Sequence, residues 1–312
     1  MELANFRYLT ILDELRYLPE VSVSDRFLVN SIKSSLESVG QSYSKALLHL
    51  MCSFNGLSEN ELLTNYDLFE RSIYRILGKS GQSIISAIKA DMLRYAIMNG
   101  SEITVTDILD PRLTVSYVLK HIHEREVLDF VRNIPPHEHI AFLYTHEIAK
   151  NNILSEFFHR QEKEDHQDPL PLGLISIKTP KLDAHLFNIS YDELLNKTRK
   201  YKAKESLAAW ITHIHSFNKS QHFATRIAEE DASLWLKNGF SADEDLNLEQ
   251  MFSTLTCDSN LSMLCAFDIS KIAESNINSM LKSIISAHDY VILDEPFVVY
   301  GRPTRRMRTN YN

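Results

Sequence analysis

The sequence predicts an α/β protein, an all-helical N-terminal domain followed by a mainly parallel α/β domain. Three observations carry this. Over the first 133 residues apolar side chains recur at helical spacing, and Asn133-Ile-Pro-Pro136 then breaks the pattern. Beyond the break, short unbroken apolar runs alternate with amphipathic stretches, the rhythm of strand–helix–strand units.

In the first domain, Leu28, Val29, Ile32, Leu36 and Val39 share one helical face, and Gly40 is placed to close that helix in the left-handed conformation. Ala46, Leu47, Leu50, Met51 and Phe54 repeat the pattern up to Asn55-Gly56. Ser58 and Glu61 then form a capping box, each side chain satisfying the other residue's unpaired backbone donor, with Leu57 and Leu62 as its hydrophobic staple. Leu68 to Leu77 and Ile84 to Leu93 add two more stripes, ending near Gly78 and Asn99-Gly100. The span from Ile103 to Leu113 is β-branched. Thr114 to Val131 returns to helical spacing, and the domain boundary is placed at residues 133–136.

The second domain opens with a strand from Ile140 to Tyr144 and a helix through Ile148 to Phe158. A charged loop, Glu162 to Pro171, leads to a strand at Leu172 to Lys178. Ile189 to Tyr201 is expected to be mostly helix, and Leu207 to Ile214, with Trp210, a strand. Two polar helices follow, at Gln221 to Leu236 and at Leu246 to Leu255. Met263 to Phe267 is an apolar run suited to a strand buried on both faces. Ile277, Met280, Leu281, Ile284 and Ile285 form a helical stripe, for which Ser270 is a plausible cap, and Tyr290 to Leu293 a last apolar run. In parallel sheets the ligand crevice lies at the carboxyl ends of the strands, here Asp268 and the segment from Asp294 to Tyr300.

A chain of 312 residues with 44% apolar content has material for two ordinary cores. Its net charge of −8 opposes wholesale attraction to nucleic acid or anionic membrane. Three cysteines, Cys52, Cys257 and Cys265, are too few for a disulfide framework or a four-thiolate zinc site. The expectation is a soluble cytoplasmic protein with neither secretory signal nor membrane span.

The order from Cys265-x-Phe267-Asp268, through the helix ending in Ala287-His288-Asp289, to Val298-Val-Tyr-Gly-Arg-Pro303 resembles the closing segment of the MEDS domain. MEDS is a sensory domain of methanogens and methylotrophs, found also in a dichloromethane-response regulator. The likeness extends upstream, to a His-x-x-x-x-Tyr opening at His139 and Tyr144 and to Glu249 before Met251-Phe252, and spans about 137–303. The chain departs from the pattern with Phe267 for a Tyr and Asp289 for a Pro. The first domain, from Phe27 to Leu93, is similar to a small helical output domain of ammonia-oxidising archaea. Together the resemblances imply a signalling protein.

Several chemistries are absent. After the first strand the chain reads Thr145-His-Glu-Ile-Ala-Lys-Asn-Asn152, without the glycines that let bare amides wrap a phosphate. The dinucleotide fingerprint, the nucleophile elbow and the His-Glu-x-x-His zinc helix are missing too. The expected domain is therefore a three-layer, RecA- or KaiC-like one with a degenerate P-loop, binding a small ligand or a protein partner without catalysing a reaction. No cofactor and no metal are expected. His213 and His215 would share a strand face but lack a third ligand nearby.

The candidate ligand-binding residues are His139, Tyr144, Trp210, His213, Asp268 and Tyr300. Cys265, inside an apolar run, is expected to be an inert core residue. Arg302, Arg305, Arg306 and Arg308 form a basic tail, 304–312, the only feature suited to nucleic acid. The competing readings are an ATPase with an atypical phosphate loop and a DNA-associated regulator. A homodimer is compatible with the sequence.

Overall fold

The structure, a computed structural model, describes Ile11, Leu15 and residues 24–98, 114–159, 172–176, 186–190, 225–233, 242–258, 261–272, 277–295 and 297–301. The chain divides into two compact units, Ser22–Glu126 and the remainder. The expected helical domain began at residue 1, but Ile11 and Leu15 are fully buried in the core of the α/β unit. Two apolar residues in a helical setting gain more by joining a sheet-based core than by exposure on their own element.

The first unit contains helices α1 (Ser24–Glu37), α2 (Gln41–Asn55), α3 (Glu59–Thr64), α4 (Tyr66–Leu77) and α5 (Gly81–Met98), and the first part of α6 (Val115–Arg132). Their apolar faces meet in one cluster that includes Leu28, Ile32, Leu36, Met51, Phe69, Ile73, Ile88 and Ile122. The capping box forms as expected: the Ser58 hydroxyl accepts from the Glu61 amide, and the Glu61 carboxylate accepts from the Ser58 amide at 2.8 Å. The Ser58 hydroxyl also donates to the Glu61 carboxylate at 2.6 Å, and that bond, together with the one from the Ser58 amide, holds the Glu61 carboxyl below its usual range.

Gly56 closes α2 in the left-handed region, whereas Gly40, at φ 121° and ψ 130°, has a positive φ outside the left-handed helical region and begins α2 instead of closing α1. Val39, Leu50 and Phe54, assigned from spacing to apolar faces, are 51%, 42% and 57% exposed. The stripe of α2 that turns inward is Leu47, Leu48 and Met51.

A buried carboxylate organises the far end of this unit. Glu70 on α4 accepts a 2.7 Å hydrogen bond from the Val115 amide, one of the four donors that the start of α6 leaves without a helical partner. Glu70→Ala is expected to cost about 2 kcal/mol. Both tryptophans, Trp210 and Trp235, lie in the other unit, so the loss should show in circular dichroism but not in tryptophan fluorescence.

The second unit is built on β1 (His139–Tyr144), α7 (Glu147–Phe158), β2 (Leu172–Ser176), β3 (Leu186–Ser190), β4 (Thr225–Glu229), α8 (Ala242–Asp258), β5 (Leu261–Asp268), α9 (Ile277–Ala287), β6 (Tyr290–Asp294) and β7 (Phe297–Gly301). The strands form one sheet in the order β3-β2-β4-β5-β1-β6-β7. Every neighbouring pair is parallel except β6 with β7. β1 and β5 are buried along their whole length, which explains their unbroken apolar runs.

Side chains alternate across the sheet. Ala141, Leu143, Met263, Cys265, Phe267, Val291 and Leu293 pack with α8 and α9. Ile140, Phe142, Tyr144, Leu264, Ala266 and Ile292 pack with α7 and with Val127 and Val131 of α6.

Three expectations fail here. Thr225–Glu229 is a central strand, not part of a helix from 221 to 236, and Leu186–Ser190 is a strand reaching into the stretch expected to be helical from 189. Thr-Arg-Ile-Ala-Glu reads as polar because its arginine is solvated by backbone carbonyls instead of water. Arg226 donates to the carbonyls of Phe157, Arg132 and Ile134 at 2.6, 2.8 and 3.2 Å. Ser270 does not cap α9; it lies in a short 3-10 turn capped by Asp268. The expected strand at 207–214 and the basic tail lie outside the described residues.

Candidate functional site

The carboxyl ends of β1 and β5 bring together Tyr144 and Asp268, joined by Glu230, Asp231 and Lys271 from just beyond β4 and β5. Asp268 does two things. Its Oδ1 accepts from the Ser270 amide at 3.0 Å, and its Oδ2 pairs with Lys271 Nζ at 2.5 Å. Lys271 also pairs with Asp231 at 3.0 Å. Burial works against the ammonium charge, but the two carboxylates outweigh it and push Lys271 up to about 12.

Across the end of β1, Lys150 of α7 pairs with Glu147 at 2.7 Å and Glu230 at 3.3 Å, with its Nζ 5.6 Å from the centre of the Tyr144 ring. The Tyr144 hydroxyl is buried and has no hydrogen-bond partner among the described residues. Burial, reinforced by the charges of Asp231 and Asp268, raises its phenol well above the ordinary range, so it remains a donor.

The turn between β1 and α7 is where a phosphate loop would wrap an anion. Here the amides of Thr145 and His146 donate at 2.7 and 3.0 Å to one oxygen, Oδ2 of Asp294, at the end of neighbouring β6. The Thr145 hydroxyl donates to the same oxygen at 3.0 Å. An anion is thus already seated at these donors, and it belongs to the protein.

No protein-family model matches the chain, and no curated protein matches it. Among solved structures, it is similar to the flagellar accessory protein FlaH from Methanocaldococcus jannaschii, at 14% identity and a TM-score of 0.34, over 53% of this chain and 75% of that one.

The candidate residues do not gather in one place. Tyr144 and Asp268 are partners in register at the carboxyl end. His139 begins β1, about 17 Å away at the rise of a parallel strand. Tyr300 also lies away from Asp268. β7 runs antiparallel to β6, so Tyr300 pairs with Val291 near the amino end of β6, away from the strand end that carries Asp268. Trp210 and His213 lie outside the described residues, as does the His213/His215 pair.

Around His139 the structure forms a second cluster that the sequence did not reveal. His139, Glu249, Cys265 and His288 each offer a ligand atom, all within 4.8 Å of one another and all buried. They come from the start of β1, the inward face of α8, the middle of β5 and the residue after α9. Asp289 fixes the entry to β1: its carboxylate accepts from the His139 amide at 2.9 Å, and its own amide donates to the His139 carbonyl at 2.7 Å.

Each histidine is oriented by the backbone. Nδ1 of His139 lies 3.3 Å from the Ala287 carbonyl and Nδ1 of His288 lies 2.7 Å from that of Ile284. A carbonyl only accepts, so both Nδ1 atoms carry the proton and both Nε2 atoms turn toward the cluster. Burial, and then His288, push His139 down to about 4, leaving it neutral at pH 7. Cys265, expected to be inert, has its Sγ 3.3 Å from Nε2 of His139.

Proposed function

We propose that this chain is a signalling protein whose α/β unit, a three-layer domain of RecA- or KaiC-like type with a degenerate phosphate loop, recognises a small ligand or a protein partner. The observation that carries this reading is the Asp294 carboxylate on the amides of Thr145 and His146. A nucleotide phosphate would have to displace a buried, hydrogen-bonded carboxylate of its own sign. The nearby ammonium groups of Lys150 and Lys271 are matched by Glu147, Glu230, Asp231 and Asp268, so the described residues at this end offer an anion little attraction.

Recognition here favours a neutral group that accepts from the Tyr144 hydroxyl or a cationic group that donates to it. A ligand would act by binding one arrangement of the chain more tightly than another, and the helical unit would transmit the difference. Calorimetry with ATP, with and without magnesium, is expected to show no binding at micromolar concentration. Micromolar affinity would overturn the reading in favour of a nucleotide-binding ATPase.

A further inference from the structure

We propose that His139, Glu249, Cys265 and His288 form a closed four-ligand site for a transition-metal ion of the zinc type. It is separate from the carboxyl-end site and independent of the reading above. The inference starts from an imbalance of donors and acceptors. Nε2 of His139 and Nε2 of His288 both approach one oxygen, Oε2 of Glu249, at 3.3 and 3.2 Å. With both Nδ1 protons committed to backbone carbonyls, a neutral ring presents a lone pair on Nε2. Lone pairs then face a carboxylate. Among the described residues neither Glu249 oxygen nor Nε2 of His288 completes a hydrogen bond, although both residues are 1% exposed. Unmatched acceptors in a fully buried place are costly, and a cation among them removes the cost.

The spacing suits such a cation. Two bonds of about 2.0 to 2.1 Å meeting at the tetrahedral angle place their outer atoms about 3.3 Å apart. The two nitrogen–oxygen separations match that value. The donor set of two imidazoles, one thiolate and one carboxylate is borderline-soft, which selects zinc or cobalt over magnesium or calcium. The Nδ1–H to carbonyl contacts are the supporting interactions that fix ligating histidines.

Charge balances as well. The ion brings two positive charges, Glu249 and the Cys265 thiolate bring two negative ones, and the rings are neutral, so the buried site has no net charge. The thiol proton leaves, one for each ion bound. With four protein ligands and none more than 1% exposed, no position is left open for a substrate, which makes the ion a tie between β1, β5, α8 and the end of α9.

The test is full-length protein produced with cobalt and, separately, zinc in the medium, followed by metal analysis and absorption spectroscopy. One ion per chain is expected, with the cobalt form showing intense four-coordinate bands and a thiolate charge-transfer band. A Cys52→Ser, Cys257→Ser double variant, which leaves Cys265 as the sole thiol, should retain both. Cys265→Ser should lose the charge-transfer band and bind cobalt at least about tenfold more weakly. Should Cys265→Ser not fold, the double variant alone decides. Less than stoichiometric metal in the wild-type chain, or a double variant without the thiolate band, overturns the proposal.

Discussion

Asp294→Ala is expected to destabilise the α/β unit by about 4 kcal/mol. One oxygen of this buried carboxylate accepts from the Thr145 amide, the Thr145 hydroxyl and the His146 amide. Hydrogen bonds to a charged group contribute about 1.5 to 3 kcal/mol each, and removing the acceptor leaves donors that β1 and α7 cannot satisfy otherwise. The effect is large because the turn has no glycine and cannot refold around water. Exposure of His146 limits it, since that amide can reach solvent. Asp294→Asn keeps an acceptor oxygen at the same place and should recover about half. Urea unfolding followed by tryptophan fluorescence measures both variants, the two tryptophans being in this unit. A midpoint within error of the wild type for Asp294→Ala would show that the carboxylate does not hold the turn.

Arg226→Met is the second large effect, about 3 kcal/mol. The guanidinium donates to three carbonyls, Phe157 at the end of α7, Arg132 at the end of α6, and Ile134 just beyond it. It also lies 5.4 Å from the centre of the Phe157 ring. Helix ends leave their last carbonyls without intrahelical partners, and here one planar, permanently charged group serves two helices at once. Methionine retains the apolar stem and loses the donors, so the loss reads the hydrogen bonds and not the packing. Arg226→Lys should recover little, because one ammonium cannot span three acceptors in the guanidinium geometry. If the lysine variant matched the wild type in the same unfolding assay, the clamp would be an ordinary point charge.

Much of the fold could be read from residue patterns because burial leaves a periodic trace. The runs at Ile140 to Tyr144 and Met263 to Phe267 are unbroken because both faces of those strands are covered, and Ser58 with Glu61 marks a helix start from local chemistry alone. β4 left no such trace. Its arginine is half-buried because two helix ends converge on it, and residues far apart in the chain supply the carbonyls. Tyr300 was misplaced for a related reason: an apolar run announces a strand but not its direction, and β7 runs antiparallel to β6.

The buried cluster shows the same limit in sharper form. His139, Glu249, Cys265 and His288 are separated by irregular intervals that match no local ligand motif. One signal was present: a carboxylate on the inward stripe of α8, beside Leu248, Phe252 and Leu255, is out of place unless something compensates it.

By itself the sequence determined that the chain has a helical part and an α/β part, where most helices and strands lie, and that no glycine loop is available to hold a phosphate. These are local properties, set by side-chain period, turn chemistry and the presence of Cβ atoms. Only the tertiary structure decided that Ile11 and Leu15 join the α/β core, that Asp294 fills the anion position, and that two histidines, a cysteine and a glutamate converge. Strand order brings β5 and β6 to either side of β1, and contacts between strands distant in the chain leave no periodic mark on any one segment.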